Sequence, residues 1–133
     1  LHTHGSEAFM PEGASDYADE GEIARSYKSE ENMIAVGRVF AQTLQARGIG
    51  VIHCEIAHDT ESYRESYARS AETIRRYLEA YPTIRYVLDL HRDSLMQADG
   101  GLIRAVTSVD GASCAQVMAG KWPSSSWLTD FPK

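Results

Sequence analysis

The chain has 133 residues, 43% of them hydrophobic and 24% charged, so it can bury a core, and a single domain over residues 1–133 is expected. A formal net charge of −6 argues against a surface that binds nucleic acid or anionic lipid. No apolar run reaches the roughly 18 residues of a membrane-spanning helix. Because the sequence begins abruptly and without methionine, we expect a processed product or a partial domain whose start is missing.

The first predicted helix follows a polar N-terminal stretch. Residues 5–28 are rich in Gly, Glu, Asp and Ser and predict a long loop. Ser29 is the predicted N-cap, with Glu30 and Glu31 in the first turn, where the helix dipole favours acids. Gly48 is the predicted stop. Apolar residues at helical spacing predict the buried face: Met33, Val36, Phe40 and Leu44.

A buried strand and a second helix are predicted next. The strand covers Val51 to Ile56. Asp59 or Thr60 then caps a helix that Pro82 ends. Its predicted inner, core-forming face comprises Tyr63, Tyr67, Ala71, Ile74, Leu78 and Tyr81.

A further β segment is predicted from about Ile84 to Leu90. Strands and helices alternate up to this point, which predicts an α/β fold with a mostly parallel sheet flanked by helices in three layers. After Ser94 the pattern changes, and two short strands are predicted around an Asp110-Gly111 turn. The tail from residue 121 shows no clear pattern. The two cysteines, Cys54 and Cys114, form no CxxC pair and are predicted to be unpaired.

Two histidines follow β segments in this scheme. His4 ends the first segment, of which Leu1 would be the remnant, and His91 ends the third. Ligands of open α/β sheets bind beyond the carboxyl ends of the strands, and parallel strands bring those ends to one edge. We therefore expect His4 and His91 to meet at one site.

Glu7, three residues after His4, supplies a carboxylate oxygen to this site. Two imidazole nitrogens and one oxygen suit zinc, with a further position left for water. Zinc would lower the pKa of that water to about 7 and polarise a carbonyl, as amide hydrolysis requires. The sequence thus predicts a metal site of His4, Glu7 and His91, with Glu7 as an ordinary loop carboxylate the alternative.

Other residues compete for the same role. His2 lies two positions before His4, on the same side of an extended segment. It is either a ligand itself, a residue that supports a ligand, or a surface residue. Glu30 and Glu31 are alternative third ligands, or simple first-turn acids.

The remaining candidates lie further along the chain. His53 is expected in the core, and His58 at the surface or near substrate. Arg92 and Asp93 follow His91 directly. Arg92 could bind a substrate carboxylate and Asp93 could orient a histidine, or the two could form a local ion pair.

Four stretches together resemble the stage II sporulation protein P family. They read "HTHGSEAFMP", "NMIAVGRVFAQTLQARGIGVIH", "HDTESYRESYARSAETIRRYLEAYP" and "VLDLHRDS" and, by their order and spacing, extend the resemblance over roughly residues 1–118. The resemblance implies a zinc-dependent cell-wall amidase acting in engulfment during sporulation. It also implies a phosphorylase/hydrolase-like fold, peptidoglycan as substrate, other sporulation cell-wall proteins as partners, and an extracytoplasmic location.

The implied reaction is cleavage of the amide between N-acetylmuramic acid and the L-alanine of the stem peptide; some members also cut peptide cross-links. The family's HTHxxE motif falls on His2, His4 and Glu7, and its HRD motif on residues 91–93. Related amidases take a glutamate before the first long helix, which here would be Glu30. The chain departs from the family in its last segment, "AGKWPSSSWLTDFPK", where no residue is assigned as general base. Another zinc hydrolase, such as a carboxypeptidase-like enzyme, and a non-catalytic wall-binding fragment are the alternatives.

Overall fold

The computed structural model describes residues 1–9, 25–92, 95–96, 102–103 and 106–122. Its helices are α1 (Met33–Gln45) and α2 (Ser66–Ala80). Its strands are β1 (Val87–Arg92), β2 (Leu95–Met96), β3 (Leu102–Ile103), β4 (Val106–Val109), β5 (Ala112–Ala115) and β6 (Val117–Trp122). They form three antiparallel pairs: β1 with β6, β2 with β3, and β4 with β5.

The prediction of a three-layer, mostly parallel α/β sheet is therefore wrong, and the described part of the chain is a small α+β structure. The predicted strand Val51–Ile56 has no regular secondary structure and belongs to none of the described strands, and Ile52 and Ile56 are exposed. A short apolar run does not by itself specify a strand partner. The partner of β1 is β6, which runs antiparallel to it and includes the start of the tail in which no pattern was recognised.

Helix α1 starts later than predicted. Its N-cap is Asn32, whose side chain accepts a hydrogen bond from the backbone N–H of Ile34, so Ser29, Glu30 and Glu31 precede the helix. The buried residues are Met33, Ile34, Gly37 and Ala41. The helix is thus rotated relative to the predicted stripe, and Phe40 is exposed. Gly48 adopts a positive φ just beyond the helix end, which agrees with its predicted role as a stop.

Helix α2 buries mainly small residues: Ser66, Ser70, Ala71 and Ile74. The predicted caps Asp59 and Thr60 lie well before its start, and the helix ends before Pro82 as predicted. The prediction that its tyrosines form core is wrong, because Tyr63, Tyr67 and Tyr81 are about half exposed.

The predicted Asp110-Gly111 hairpin is confirmed. Asp110 and Gly111 both have positive φ, of 51° and 81°, and connect β4 to β5. Two successive positive φ values are the geometry of the tight hairpin turn that Asp-Gly favours. Both cysteines are free, as predicted.

The described interior is unusually polar. Its apolar part comprises Ala8, Met33, Ile34, Ala41, Cys54, Ala71, Ile74 and Leu90. Its polar part comprises His2, Thr3, His4, Ser6, Asn32, His58, Asp59, Ser66, Ser70, Asp89 and Arg92. Buried polar groups need hydrogen-bond partners, and here these partners gather around the N-terminal residues. Within the described ranges, neither helix has the length and apolarity that crossing a membrane requires.

Candidate metal centre

The N-terminal segment is held by two buried carboxylates. Asp89 on β1 accepts hydrogen bonds from the backbone N–H of Thr3 at 2.9 Å and from its hydroxyl at 2.5 Å. Asp59 accepts from the backbone N–H of Ser6 at 3.2 Å and from its hydroxyl at 2.5 Å. The backbone N–H of Leu90 also donates to the carbonyl of Leu1. The segment that carries His4 is thus fixed on both sides.

This arrangement brings His4, Glu7 and His91 together, with one potential ligand atom of each within 4.8 Å of the others. Nδ1 of His4 lies 3.8 Å from Oε1 of Glu7, and Nδ1 of His91 lies 3.7 Å from Oε2 of Glu7. The two imidazole rings lie 5.2 Å apart, centre to centre. His4 is buried and the other two side chains are nearly so.

The hydrogen bonds of His4 determine which of its nitrogens carries the proton. Its Nε2 lies 3.0 Å from the hydroxyl of Ser66, and that hydroxyl donates to the carbonyl of Tyr63 at 2.7 Å. A hydroxyl has one proton to donate, so Nε2 of His4 must carry a proton and donate it to Ser66. In the neutral ring the lone pair is then on Nδ1, the nitrogen nearer Glu7.

His91 is oriented in the same way by a carboxylate. Its Nε2 lies 3.0 Å from Oδ2 of Asp89, so the Nε2 proton faces Asp89 and Nδ1 faces Glu7. Asp89 is in turn held by Thr3 and lies 3.4 Å from the indole nitrogen of Trp122 on β6. Glu7 is fixed by the backbone N–H of Arg92, which donates to Oε2 at 2.8 Å.

The two histidines differ in basicity. The carboxylate of Asp89, bonded to the ring, and then the nearby carboxylate of Glu7 raise the pKa of His91 to about 9, against the effect of burial. Burial lowers the pKa of His4, and this outweighs the attraction of Glu7. Burial alone would raise the pKa of Asp89, but hydrogen bonds from His91 and Thr3 lower it to about 2. Asp89 is therefore an ionised acceptor at neutral pH.

His2 is not one of the three residues of this cluster. Its Nε2 lies 2.8 Å from Nε2 of His53, whose Nδ1 lies 3.3 Å from the carboxylate of Glu55, which pairs with Arg38. Burial lowers the pKa of His2 to about 3, so the ring is neutral. The structure thus places His2 in a second chain of polar contacts, in which the half-buried His53 connects it to Glu55.

The other predicted site residues lie elsewhere. Glu30 is exposed and accepts from Ser29, while Glu31 bonds to Ser26 and Lys28. His58 is buried, with Nδ1 2.8 Å from the carbonyl of His2 and Nε2 2.9 Å from the hydroxyl of Thr73. Arg92 is buried next to Glu7, and its predicted contact with substrate stays a prediction. Asp93 lies outside the described residues.

Sequence reasoning missed the residues that orient the histidines. Asp89 was detectable, because it lies two positions before His91 and side chains two apart on a strand share a face. Ser66 gave no such signal, since its contact with His4 depends on the tertiary fold. Tyr63 stacks on His4 with ring centres 4.3 Å apart, and Tyr67 meets it edge-on at 5.2 Å.

The cluster has the properties of a site for a divalent metal. The Nδ1-to-carboxylate separations of 3.7 and 3.8 Å are too long for hydrogen bonds. They are close to the roughly 3.3–3.5 Å between ligand atoms that share one zinc ion with bonds near 2.1 Å. Each imidazole also donates its outer Nε2–H to an oxygen, as metal-ligating histidines do. The three residues therefore fit a metal such as zinc.

The fold and the site together define a small α+β protein with a candidate His-Glu-His metal centre. The family model described as Stage II sporulation protein P (SpoIIP) matches residues 1–119, and the chain belongs to this family. The resemblance drawn from its motifs is thereby confirmed, and the chain is a member of a sporulation protein family.

A curated relative agrees with this assignment. The chain is 29% identical over 124 residues to stage II sporulation protein P of Bacillus subtilis (strain 168), in an alignment that covers 87% of this chain and 28% of the relative. The chain thus spans little more than a quarter of that protein's length. No solved structure matches the chain.

Proposed function

We propose that this chain is the zinc-binding catalytic region of a peptidoglycan amidase. The reaction is hydrolysis of the amide between N-acetylmuramic acid and the L-alanine of the stem peptide, in cell-wall remodelling during sporulation and engulfment. The observation that carries the proposal is the orientation of His4 and His91, whose Nδ1 atoms face Glu7 while their Nε2 protons are held by Ser66 and Asp89. Membership of the sporulation family supports the biological setting.

His4, Glu7 and His91 would hold the metal. Bound zinc supplies a Lewis acid that polarises an amide carbonyl and acidifies water at neutral pH. The protein's part is to hold the two imidazoles in one orientation and to keep the site partly dry, since His4 is covered by Tyr63 and Tyr67. Asp89 and Ser66 act on the ligands and are positioning residues.

The proposed substrate determines the cellular location that we propose for the protein. Peptidoglycan lies outside the cytoplasmic membrane, so an amidase that cuts it works in the cell envelope. Other sporulation cell-wall proteins are the proposed partners. The net charge of −6 agrees with a substrate that is neither nucleic acid nor an anionic membrane surface.

Metal analysis and digestion of purified sacculi test the proposal together. The wild-type chain is expected to carry about one zinc per chain and to release stem peptides whose new N-terminus is L-alanine. His4→Ala and His91→Ala each remove one ligand and are expected to lose zinc and product release. Glu72→Gln, on the exposed side of α2, is the matched control and is expected to change neither.

Three outcomes would contradict the proposal in different ways. Unchanged zinc content in both histidine variants would place the metal elsewhere. Cleavage of free peptides without action on sacculi would show a different metallohydrolase, such as a carboxypeptidase-like enzyme. Retained binding to sacculi with no product would show a wall-binding protein.

A further inference from the structure

We propose that Arg25, Tyr63 and Tyr67 form a substrate subsite beside the His4 cluster that takes a carboxylate of an acidic peptide. This inference rests on the proposed function, because it assigns the part of the stem peptide that this subsite would recognise. It concerns residues outside the HTHxxE and HRD motifs and outside the candidate metal ligands.

Arg25 is brought to the cluster by backbone pairing. It forms an isolated antiparallel bridge with Glu7, and the neighbouring Ser26 N–H donates to the carbonyl of Ser6 at 2.9 Å. The residue is therefore anchored against the same short segment that carries the candidate ligands. Its side chain extends over Tyr63, with the guanidinium carbon 4.4 Å from the ring centre.

The Arg25 cation has no carboxylate partner among the described residues. Arg38, by contrast, is paired with Glu55, and Arg69 with Glu65. Glu7 is the backbone-bridge partner of Arg25. Its carboxylate, however, faces His4, His91 and the backbone N–H of Arg92. Arg25 is half-buried and rests on an aromatic face. A guanidinium carries forked N–H donors, whose geometry suits an external oxyanion.

The two tyrosines connect this cation to the cluster. Tyr63 is 50% exposed and Tyr67 is 54% exposed, although both pack against His4. Two stacking steps, of 4.4 Å and 4.3 Å, separate the guanidinium carbon from the centre of the His4 ring. Half-exposed tyrosines against a buried histidine offer both ring surface and hydroxyl groups to a ligand.

The class of ligand follows from this chemistry. A guanidinium binds carboxylates through two parallel N–H···O bonds, and such bonds are about twice as strong as neutral ones. A stem peptide carries free carboxylates close to the amide that the proposed reaction cuts. A stem-peptide carboxylate bound at Arg25 would thus hold the L-alanine end of the peptide beside His4, in contact with the rings of Tyr63 and Tyr67.

Equilibrium binding of a small peptide tests the subsite without any hydrolysis. The probe is L-alanyl-D-glutamate, which lacks the muramoyl amide, compared with its dicarboxamide by NMR titration of the full chain. Wild type is expected to bind the acid at least about tenfold more tightly, which is the size expected for a charged hydrogen-bonded pair. Arg25→Gln is expected to abolish this preference, and Arg25→Lys to retain part of it, since it keeps the charge but not the fork.

Controls separate this inference from the proposed function. Arg47→Gln, at an exposed arginine after α1 whose guanidinium donates to the backbone carbonyl of Thr43, is expected to keep the wild-type preference. Zinc content is expected to be unchanged in all these variants. Equal binding of acid and dicarboxamide by wild type, or a full preference in Arg25→Gln, overturns the subsite even if sacculi are cut. If His4→Ala loses zinc but the wild-type chain releases no product from sacculi, the result contradicts the proposed amidase activity and leaves the Arg25 subsite unaffected.

Discussion

The two histidines of the cluster have different proton affinities, because burial lowers the pKa of His4 whereas the carboxylate of Asp89 raises the pKa of His91. His4 donates to the neutral hydroxyl of Ser66, whereas His91 donates to the ionised carboxylate of Asp89. A neutral acceptor does not favour a charged ring, but an anion does. His4 is therefore ready to bind a metal through Nδ1, whereas His91 must first lose a proton from that atom.

Zinc binding is consequently expected to release a proton from His91. The pKa of this ring is raised from 6.5 to about 9, so between these values the ring is charged in the folded chain and must become neutral to bind. Zinc affinity should rise by about tenfold per pH unit over this window. Calorimetry at pH 7.5 in two buffers of different ionisation enthalpy measures the released proton directly.

Asp89→Asn supplies the control for this proton release. Without the carboxylate the pKa of His91 should fall toward its ordinary value, so fewer protons should be released at pH 7.5 even if zinc still binds. The stability of the zinc-free fold has the opposite pH dependence to zinc affinity: protonated His91 stabilises this fold fully below pH 6.5, and the contribution is lost as pH rises through about 9. A binding enthalpy that does not depend on the buffer would contradict the assignment of His91.

The candidate ligands could be predicted from the sequence, whereas the residues that surround them could not. His4, Glu7 and His91 could be selected because two imidazoles and a carboxylate are metal-ligand chemistry, and the structure places them together. Tyr63 and Tyr67 could not be assigned correctly. An aromatic residue at helical spacing usually packs in a core, and nothing local shows that its neighbour is a buried imidazole.

Among the secondary-structure elements, helix α1 lies against His2 of the N-terminal segment at a glycine, Gly37. A Cβ at Gly37 would lie 2.6 Å from Nε2 of His53 and closer still to the ring of His2. Only glycine therefore lets α1 lie against this pair of imidazoles. This requirement places Gly37 in the buried face of the helix, although it offers no side chain to pack.

Gly37→Ala is expected to lower the free energy of unfolding by about 1–2 kcal/mol, because overpacking costs more than the roughly 1 kcal/mol that alanine gains in a helix. Urea denaturation monitored by circular dichroism measures this change. Gly50→Ala is the matched control, since a Cβ there meets nothing within 4 Å, and it should stay near wild type. Equal stability of the two variants would show that His2 and His53 can move away from α1 at little cost.

Elements were predictable where the determining interactions are local. The Asp110-Gly111 turn follows from two residues that tolerate positive φ, and the hairpin formed as expected. The buried face of α1 was not predictable from its apolar residues, because contact with His2 and His53 selects the side that carries Gly37. The pairing of β1 with β6 joins residues about 30 positions apart, and no short sequence pattern specifies it.

In the whole molecule, the candidate site ties together segments that are distant in sequence. The N-terminal residues, the start of α2 and strand β1 each contribute a group to it, and β6 supports it through Trp122. Much of the described interior consists of these polar groups and few large apolar side chains. His4, Glu7 and His91 therefore place charges and hydrogen-bond acceptors in the interior, and burying such groups stabilises the fold less than burying apolar side chains would.

Zinc is accordingly expected to stabilise the whole described fold. A ligand that binds only the folded chain adds about 2.7 kcal/mol at a free concentration of 100 times its Kd. Thermal unfolding with and without a chelator should show a clear decrease in Tm when zinc is removed, and the decrease should reverse when zinc is restored. His91→Ala should unfold at the same temperature in both conditions, because it lacks one ligand and the Asp89 contact. A wild-type Tm that does not respond to zinc would mean that the three residues do not bind it in the folded state, whatever the activity on sacculi.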